Sequence, residues 1–280
     1  MADLTHGTAY VNGVDIHYVR AGEGPALVLL HGWPQTWYEW REVMGPLARD
    51  YTVIAPDLRG MGDSGKPVDG YDKRTVAEDV HELVADLGFE EAAVVGHDWG
   101  MPTAYAYAAQ HRDEVAALAV LEAMLPGVRM EEKGMLWHVR FHQVRDLPER
   151  LVSGNEETYL KWFYREGAYD PSAIDGAARE EYVRCYSAPG GLRGGFEYYR
   201  AYDTDAEHNR EHAEDELEMP VLALGGEASF RSMPVRDMEA VAADVDGEVV
   251  ERAGHWIPEE RPDYLVERLR GFLDDAGYAP

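Results

Sequence analysis

Two short stretches carry the residues that could do chemistry. Gly96-His97-Asp98-Trp99-Gly100 follows a short apolar run, Ala92–Val95, and precedes a segment of helical character, Ala104–Gln110. A strand that turns tightly into a helix needs small flanking residues, and it presents its central side chain above the end of a sheet. Asp98 stands at that centre. The positive end of the helix dipole keeps a carboxylate ionised there, so it can act as a nucleophile without a base. The same residue reads equally well as a helix N-cap, a common role for aspartate. The second stretch is Gly254-His255-Trp256-Ile257-Pro258-Glu259-Glu260, just past the last strand-like segment. A histidine after the final strand is where a catalytic base belongs in such an arrangement. The other ten histidines are scattered along the chain.

The elements that must position these residues follow from hydrophobic periodicity. Thr8–Val11 and Val14–Ala21 alternate as strands around Asn12-Gly13, a strong hairpin signal. Ala26–Leu30, Thr52–Ala55, Ala92–Val95, Val115–Leu121, Val221–Leu224 and Glu248–Val250 read as short strands, and such unbroken apolar runs suit strands buried on both faces. Thr36–Arg49, Thr75–Leu87, Ala104–Gln110, Val235–Val241 and Pro262–Asp275 read as helices. Strands alternating with helices predict an α/β fold with a mostly parallel sheet covered on both faces, and a site beyond the carboxyl ends of the strands. The alternation stops after Pro126. Residues 127–213 mix aromatics and charges at helical spacing and read as a helical insertion, which leaves 1–126 and 214–280 as the core domain.

Bulk composition narrows the function classes. The chain has 280 residues, is 45% hydrophobic and carries a formal net charge of −27 at pH 7. So acidic a chain repels nucleic acid and anionic membranes, and neither is expected as a partner. The acid is spread along the chain instead of forming one tail, as a solvated surface does. It suggests a halophilic protein that works in concentrated salt. No apolar run approaches the roughly 20 residues needed to cross a bilayer. The N-terminal residues lack the pattern of a signal peptide, so a cytoplasmic location is the expectation. Cys185 is the single cysteine, which excludes an internal disulfide.

With these motifs in this order, nearly the whole chain resembles the epoxide hydrolase and haloalkane dehalogenase branch of the α/β-hydrolase superfamily. It resembles most the bacterial epoxide hydrolases typified by the cystic fibrosis transmembrane conductance regulator inhibitory factor. The stretches that carry this are Gln35-Thr36-Trp37-Tyr38-Glu39-Trp40, Leu121-Glu122-Ala123, Leu136-Trp137-His138, Phe196-Glu197-Tyr198-Tyr199-Arg200-Ala201 and the segment around His255. The resemblance implies an α/β-hydrolase fold with an inserted helical cap, and no metal or organic cofactor in the reaction. It implies an oxyanion hole made by the backbone N–H groups of Trp33, in His31-Gly32-Trp33-Pro34, and of Trp99. His31 itself reads as a buried structural residue, and Asp57 as an organiser of its loop.

Many relatives place the acid that orients the base after the strand corresponding to Val221–Leu224. There this chain carries Ser229, which cannot hold a permanent charge, so the resemblance points to Glu122 instead, with Glu227 as the second choice. The cap is expected to supply His138 and Tyr199 as donors to the epoxide oxygen, and Tyr198 competes with Tyr199 for that role. The implied reaction is attack of Asp98 on an apolar epoxide, giving an ester that water activated by His255 and Glu122 hydrolyses to a vicinal diol. A haloalkane or haloacid dehalogenase would share the first displacement, although the Arg-rich stretch that follows the nucleophile in fluoroacetate dehalogenases is replaced here by Trp99-Gly100-Met101-Pro102. A non-catalytic binding protein on the same fold is a third reading. The sequence leaves a homodimer open.

Overall fold

The computed structural model describes residues 3–129 and 136–279. Strands β1 (Thr5–Val11) and β2 (Val14–Ala21) form the N-terminal antiparallel hairpin. Asn12 and Gly13 turn it with φ of 44° and 76°, as a two-residue hairpin loop requires. The remaining strands are β3 (Ala26–Leu30), β4 (Thr52–Pro56), β5 (Ala92–His97), β6 (Val115–Leu121), β7 (Val221–Gly226) and β8 (Val245–Val250). They build one eight-stranded sheet in the order β1-β2-β4-β3-β5-β6-β7-β8, parallel from β4 onward.

Every residue of β3, β4 and β5 is buried because helices cover both faces. On one face, Leu27 and Leu29 pack with side chains from α1 (Arg41–Leu47) and α12 (Pro262–Asp275). On the other, Val28 and Leu30 pack with α2 (Lys73–Asp86) and α3 (Gly100–Gln110). The period-two alternation of a strand divides the two cores. Two local differences from the periodicity have simple causes. The segment expected as one helix over Thr36–Arg49 opens as a 3-10 turn, Trp37–Trp40, capped by the Thr36 hydroxyl. A four-residue helix beyond the last strand, Ile257–Glu260 (α11), is too short to leave a periodic signal.

Between β6 and β7 the described chain carries helices α4 (Trp137–Gln143), α5 (Leu147–Val152), α6 (Glu156–Glu166), α7 (Gly176–Ser187), α8 (Gly191–Arg200) and α9 (Tyr202–His212), and no strand. A further helix, α10 (Met233–Met238), follows β7. Two contacts seat the helical segment over the carboxyl ends of the strands. Gly194 and Gly195 let α8 approach closely, since a Cβ at Gly194 would lie 2.1 Å from the Gly60 carbonyl oxygen and one at Gly195 would lie 2.6 Å from the Trp33 ring. Asp205 on α9 reaches the start of α2, accepting from the Lys73 backbone N–H at 2.7 Å and from its ammonium at 2.8 Å. Both side chains are buried, and the ammonium also lies 4.6 Å from the ring centroids of Trp99 and Tyr198.

A buried pair of this kind is costly to break by halves. Asp205→Ala is expected to lose about 3–5 kcal/mol of stability, because Lys73 is left as an uncompensated buried charge. The double substitution Lys73→Met with Asp205→Leu is expected to recover most of that loss. Chemical denaturation of both variants measures the difference.

Candidate active site

The turn after β5 owes its shape to glycines that admit no side chain. Asp98 sits in the left-handed region at φ 49°, a conformation a non-glycine residue holds only when its surroundings impose it. A Cβ on Gly96 would meet the Gly100 carbonyl oxygen at 2.3 Å, and one on Gly100 would meet that of Leu30 at 2.1 Å. A Cβ on Gly32 would fall 2.2 Å from Asp98 Cβ. The strand-to-helix turn is thus wedged against the end of β3, and the Asp98 side chain rises between the two.

Two backbone donors meet that carboxylate. The Trp33 N–H donates to Asp98 Oδ1 at 2.8 Å, and the Trp99 N–H also bonds the group. His255 Nε2 lies 3.5 Å from the other oxygen, Oδ2. Burial opposes a charge at Asp98, but His255, His97 and the Trp99 N–H outweigh it and hold its pKa below the usual carboxylate value.

His255 turns its second nitrogen to Glu122, with Nδ1 3.0 Å from Oε2. Glu122 follows β6, is fully buried and also has positive φ, 53°. Its other oxygen accepts from the backbone N–H groups of Gly226, the last residue of β7, and of Phe230 in the loop that follows. Glu227 lies in the same loop, but the ion pairs of His255 run to Asp98 and Glu122. Burial alone would lower the His255 pKa; the two carboxylates reverse this and raise it to about 10.

Above the carboxylate lies a cavity of about 320 Å³. Its wall includes Trp33, Trp137, His138, Phe163, Tyr199 and Trp256 together with Asp98 and His255. Tyr199 stands one helical turn beyond Gly195, so the close seat of α8 brings its ring 5.5 Å from that of Trp33 and 5.0 Å from that of Trp99. Burial first, and then the Asp98 charge, push the Tyr199 phenol well above its ordinary pKa, so it keeps its proton. Tyr198 points elsewhere. A step of one residue turns the helix by about 100°, and its hydroxyl donates to the Arg59 carbonyl oxygen at 3.0 Å. His138 lies 5.9 Å from the Tyr199 ring, and burial lowers its pKa to about 4, which keeps it neutral at pH 7.

Several residues around this site escape sequence reading. His97, inside the pentapeptide, is fully buried, with Nδ1 3.2 Å from a carboxylate oxygen of Glu39 and Nε2 2.8 Å from the His255 carbonyl oxygen. It supports the His255 backbone from below. His142 is one helical turn from His138, a spacing that could have flagged it. It bonds the Tyr159 hydroxyl at 2.6 Å, and its ring stacks on Phe196 at 4.3 Å. Burial drives its pKa to about 2, so it is a neutral part of the aromatic wall.

The α/β-hydrolase fold family matches residues 25–262. A soluble epoxide hydrolase from Corynebacterium sp. (strain C12) is 42% identical, with 97% of this chain and 98% of the relative covered. A fluoroacetate dehalogenase from Burkholderia sp. is 34% identical, covering 95% and 92%. The solved structure of the epoxide hydrolase CorEH without ligand superposes with a TM-score of 0.92 at 40% identity, covering 98% of this chain and 99% of that one. The chain belongs to the α/β-hydrolase fold family.

The linked charges make a measurable statement. The folded pKa of His255 lies above the ordinary imidazole value of about 6.5, so its contribution to stability is complete below that pH and is lost as pH rises through about 10. Asp98→Asn removes one of the two carboxylates that raise it. His255 is therefore expected to titrate below about 10 in that variant, and the fall of stability from pH 6.5 to 10 is expected to be shallower. Imidazole NMR titration reads the first effect and denaturation at several pH values the second.

Proposed function

We propose that this protein hydrolyses epoxides to vicinal diols through a covalent ester on Asp98. The observation that carries the reading is the joint placement of an anionic Asp98, a His255–Glu122 pair and a protonated Tyr199 around one aromatic cavity. The 42% identity to a soluble epoxide hydrolase over nearly the full length of both chains agrees with it.

Asp98 Oδ1 is held by the Trp33 N–H, so Oδ2 is the oxygen that attacks an epoxide carbon. The ring C–O bond breaks as the ester bond forms. Negative charge develops on the epoxide oxygen, which takes a proton from the Tyr199 hydroxyl while His138 adds a second hydrogen bond. Alkylation removes the Asp98 charge that helped to raise the His255 pKa. The resting imidazolium of His255 therefore gives its proton to the Tyr199 phenolate, and the neutral ring, oriented and stabilised by Glu122 as the acid does in a hydrolytic triad, then accepts a proton from water. The hydroxide attacks the ester carbonyl, and the Trp33 and Trp99 N–H groups stabilise the oxyanion. Collapse breaks the bond to the alkyl oxygen, which leaves as the diol with the second proton of the water, and regenerates the Asp98 carboxylate beside the His255 imidazolium. These steps use only side chains and backbone groups of this chain.

In this reading residues 127–213 act as a cap over a core formed by 1–126 and 214–280, with substrate enclosed between them. The His138 and Tyr199 pair favours the inhibitory-factor type of epoxide hydrolase. The 34% identity to a fluoroacetate dehalogenase keeps dehalogenation as a second reading, because the first displacement is the same. Parallel assays of halide release and diol formation separate the two. No helix among the described residues is long and apolar enough to cross a membrane.

His255→Gln is expected to keep the nucleophile and lose the activated water. Mixed with an epoxide that the wild type turns over, it should gain the mass of one substrate molecule on Asp98 in intact-protein mass spectrometry. An unmodified mass under those conditions contradicts the covalent route. The charge of −27 supports adaptation to concentrated salt, since like charges on the surface are screened as ionic strength rises. The melting temperature is accordingly expected to climb between low and molar KCl, and a flat or falling curve refutes halophily.

A further inference from the structure

We propose that Glu39 holds His97 as a standing imidazolium beneath the site, and that this charge makes His255 give up its proton once Asp98 is esterified. The inference deepens the proposed hydrolysis and rests on it in assigning His255 as the base. His97 is a positioning residue in this scheme. It does not line the cavity and acts through its two neighbours, Asp98 and His255.

The charge follows from what the two ring nitrogens face. Nδ1 lies 3.3 Å and 3.2 Å from the two carboxylate oxygens of Glu39, and Nε2 lies 2.8 Å from the His255 carbonyl oxygen. A carbonyl oxygen only accepts, so Nε2 carries a proton. Nearly equal distances to both Glu39 oxygens are those of an N–H aimed between them. A carboxylic acid donating to a bare Nδ1 would bring one oxygen closer than the other. A proton on each nitrogen makes the ring cationic. Both side chains are fully buried. Burial opposes the charge, but Glu39 outweighs it and holds the His97 pKa above its ordinary value. The Trp40 and Trp256 rings stand edge-on to the imidazole. Behind Glu39, Glu259 is paired with Arg41 and accepts from the Tyr182 hydroxyl.

In the resting enzyme three carboxylates, Asp98, Glu122 and Glu39, then face two imidazolium rings. The centroids of His97 and His255 are 5.1 Å apart, and their charges oppose each other. Asp98 offsets that repulsion, because it favours the charged form of both rings. Ester formation takes Asp98 out of the balance and leaves two cations that still repel. His255 is the ring that discharges. It lines the cavity beside Tyr199, whose phenolate takes the proton, whereas His97 is enclosed with an acceptor at each nitrogen. Glu39 meets His97 at the nitrogen that faces away from the His255 carbonyl, so the imidazolium is the nearer charge to the base. Before reaction the same charge helps to hold the Asp98 pKa low.

The test removes the charge and keeps the brace. In Glu39→Gln an amide N–H donates to Nδ1, so His97 is neutral and still donates from Nε2 to the His255 carbonyl. Imidazole nitrogen NMR of the full chain is expected to show both His97 nitrogens protonated at neutral pH in the wild type, and Nδ1 bare in Glu39→Gln. Contacts with the Trp40 and Trp256 rings identify the signals. Asparagine at position 98 reproduces the charge lost on esterification. His255 is therefore expected to titrate about one pH unit higher in the double variant Asp98→Asn with Glu39→Gln than in Asp98→Asn alone. During turnover, decay of the Asp98 ester, followed by rapid quench and intact-protein mass spectrometry, is expected to need a correspondingly higher pH in Glu39→Gln than in the wild type. A neutral His97 in the wild type overturns the assignment, and that measurement needs no variant to fold. A His255 titration that Glu39→Gln leaves unmoved overturns it too, as does ester decay slowed equally at every pH, the mark of a brace alone. If the wild type forms no ester with an epoxide that it hydrolyses, the covalent reading fails, and the two NMR results still decide the charge of His97 and its effect on His255.

Discussion

Asp98 has a Cβ and still holds φ at 49°, so its carboxylate stands off the end of β5 instead of lying along the helix that follows. That posture exists only because Gly32, Gly96 and Gly100 leave the backbones of β3, β5 and α3 nearly in contact. The arrangement brings the N–H groups of Trp33 and Trp99 onto the same carboxylate. Those donors stabilise the partly buried charge, and in the proposed reaction they stand where the oxyanion would develop. One local strain thus sets the posture of the proposed nucleophile and its ionisation together.

Charge balance around that point is arranged over several strands. Two carboxylates, Asp98 and Glu122, face one imidazole. Glu122 is tied to the sheet, since it accepts from Gly226 at the end of the neighbouring strand and from Phe230 in the loop that follows. Hydrogen bonds from fixed backbone groups let a fully buried glutamate remain an acceptor for His255. Below it, His97 and Glu39 form another buried ion pair and brace the His255 carbonyl. The basicity of His255 therefore depends on a carboxylate that ester formation would neutralise, which links the two proposed half-reactions without a moving part.

The opposite wall of the site is built by shape more than by charge. Trp33 is the hub: His142, Phe163, Phe196 and Tyr199 all place their rings within 6.1 Å of its own. Such a wall is largely apolar, and surroundings of low polarity strengthen the polar contacts beside them. It also suppresses the charge of His138 and His142 and keeps the Tyr199 proton in place. The helices that carry these rings are held to the core by a glycine contact and by the buried Lys73–Asp205 pair. Packing and one ion pair therefore govern where the proposed proton donors stand.

By itself the sequence determined the order of strands and helices, the tight turn at Asp98 and the histidine beyond the last strand. These are local matters: short apolar runs, glycines two residues either side of an acid, and position in chain order all act over a few residues. The sequence favoured Glu122 over Glu227, and only the tertiary structure shows that Glu122 is the one that pairs with His255, because that contact rests on the spacing of β6 and β7 and on the direction of Glu122 at positive φ. It also separated Tyr199 from Tyr198, adjacent residues that α8 turns to different sides once Gly195 lies on Trp33. The pairings of His97 with Glu39 and of Lys73 with Asp205 span 58 and 132 residues, and no local pattern encodes them. Burial turns such distant residues into partners, since a charge taken from water must find its counter-charge wherever the fold brings one.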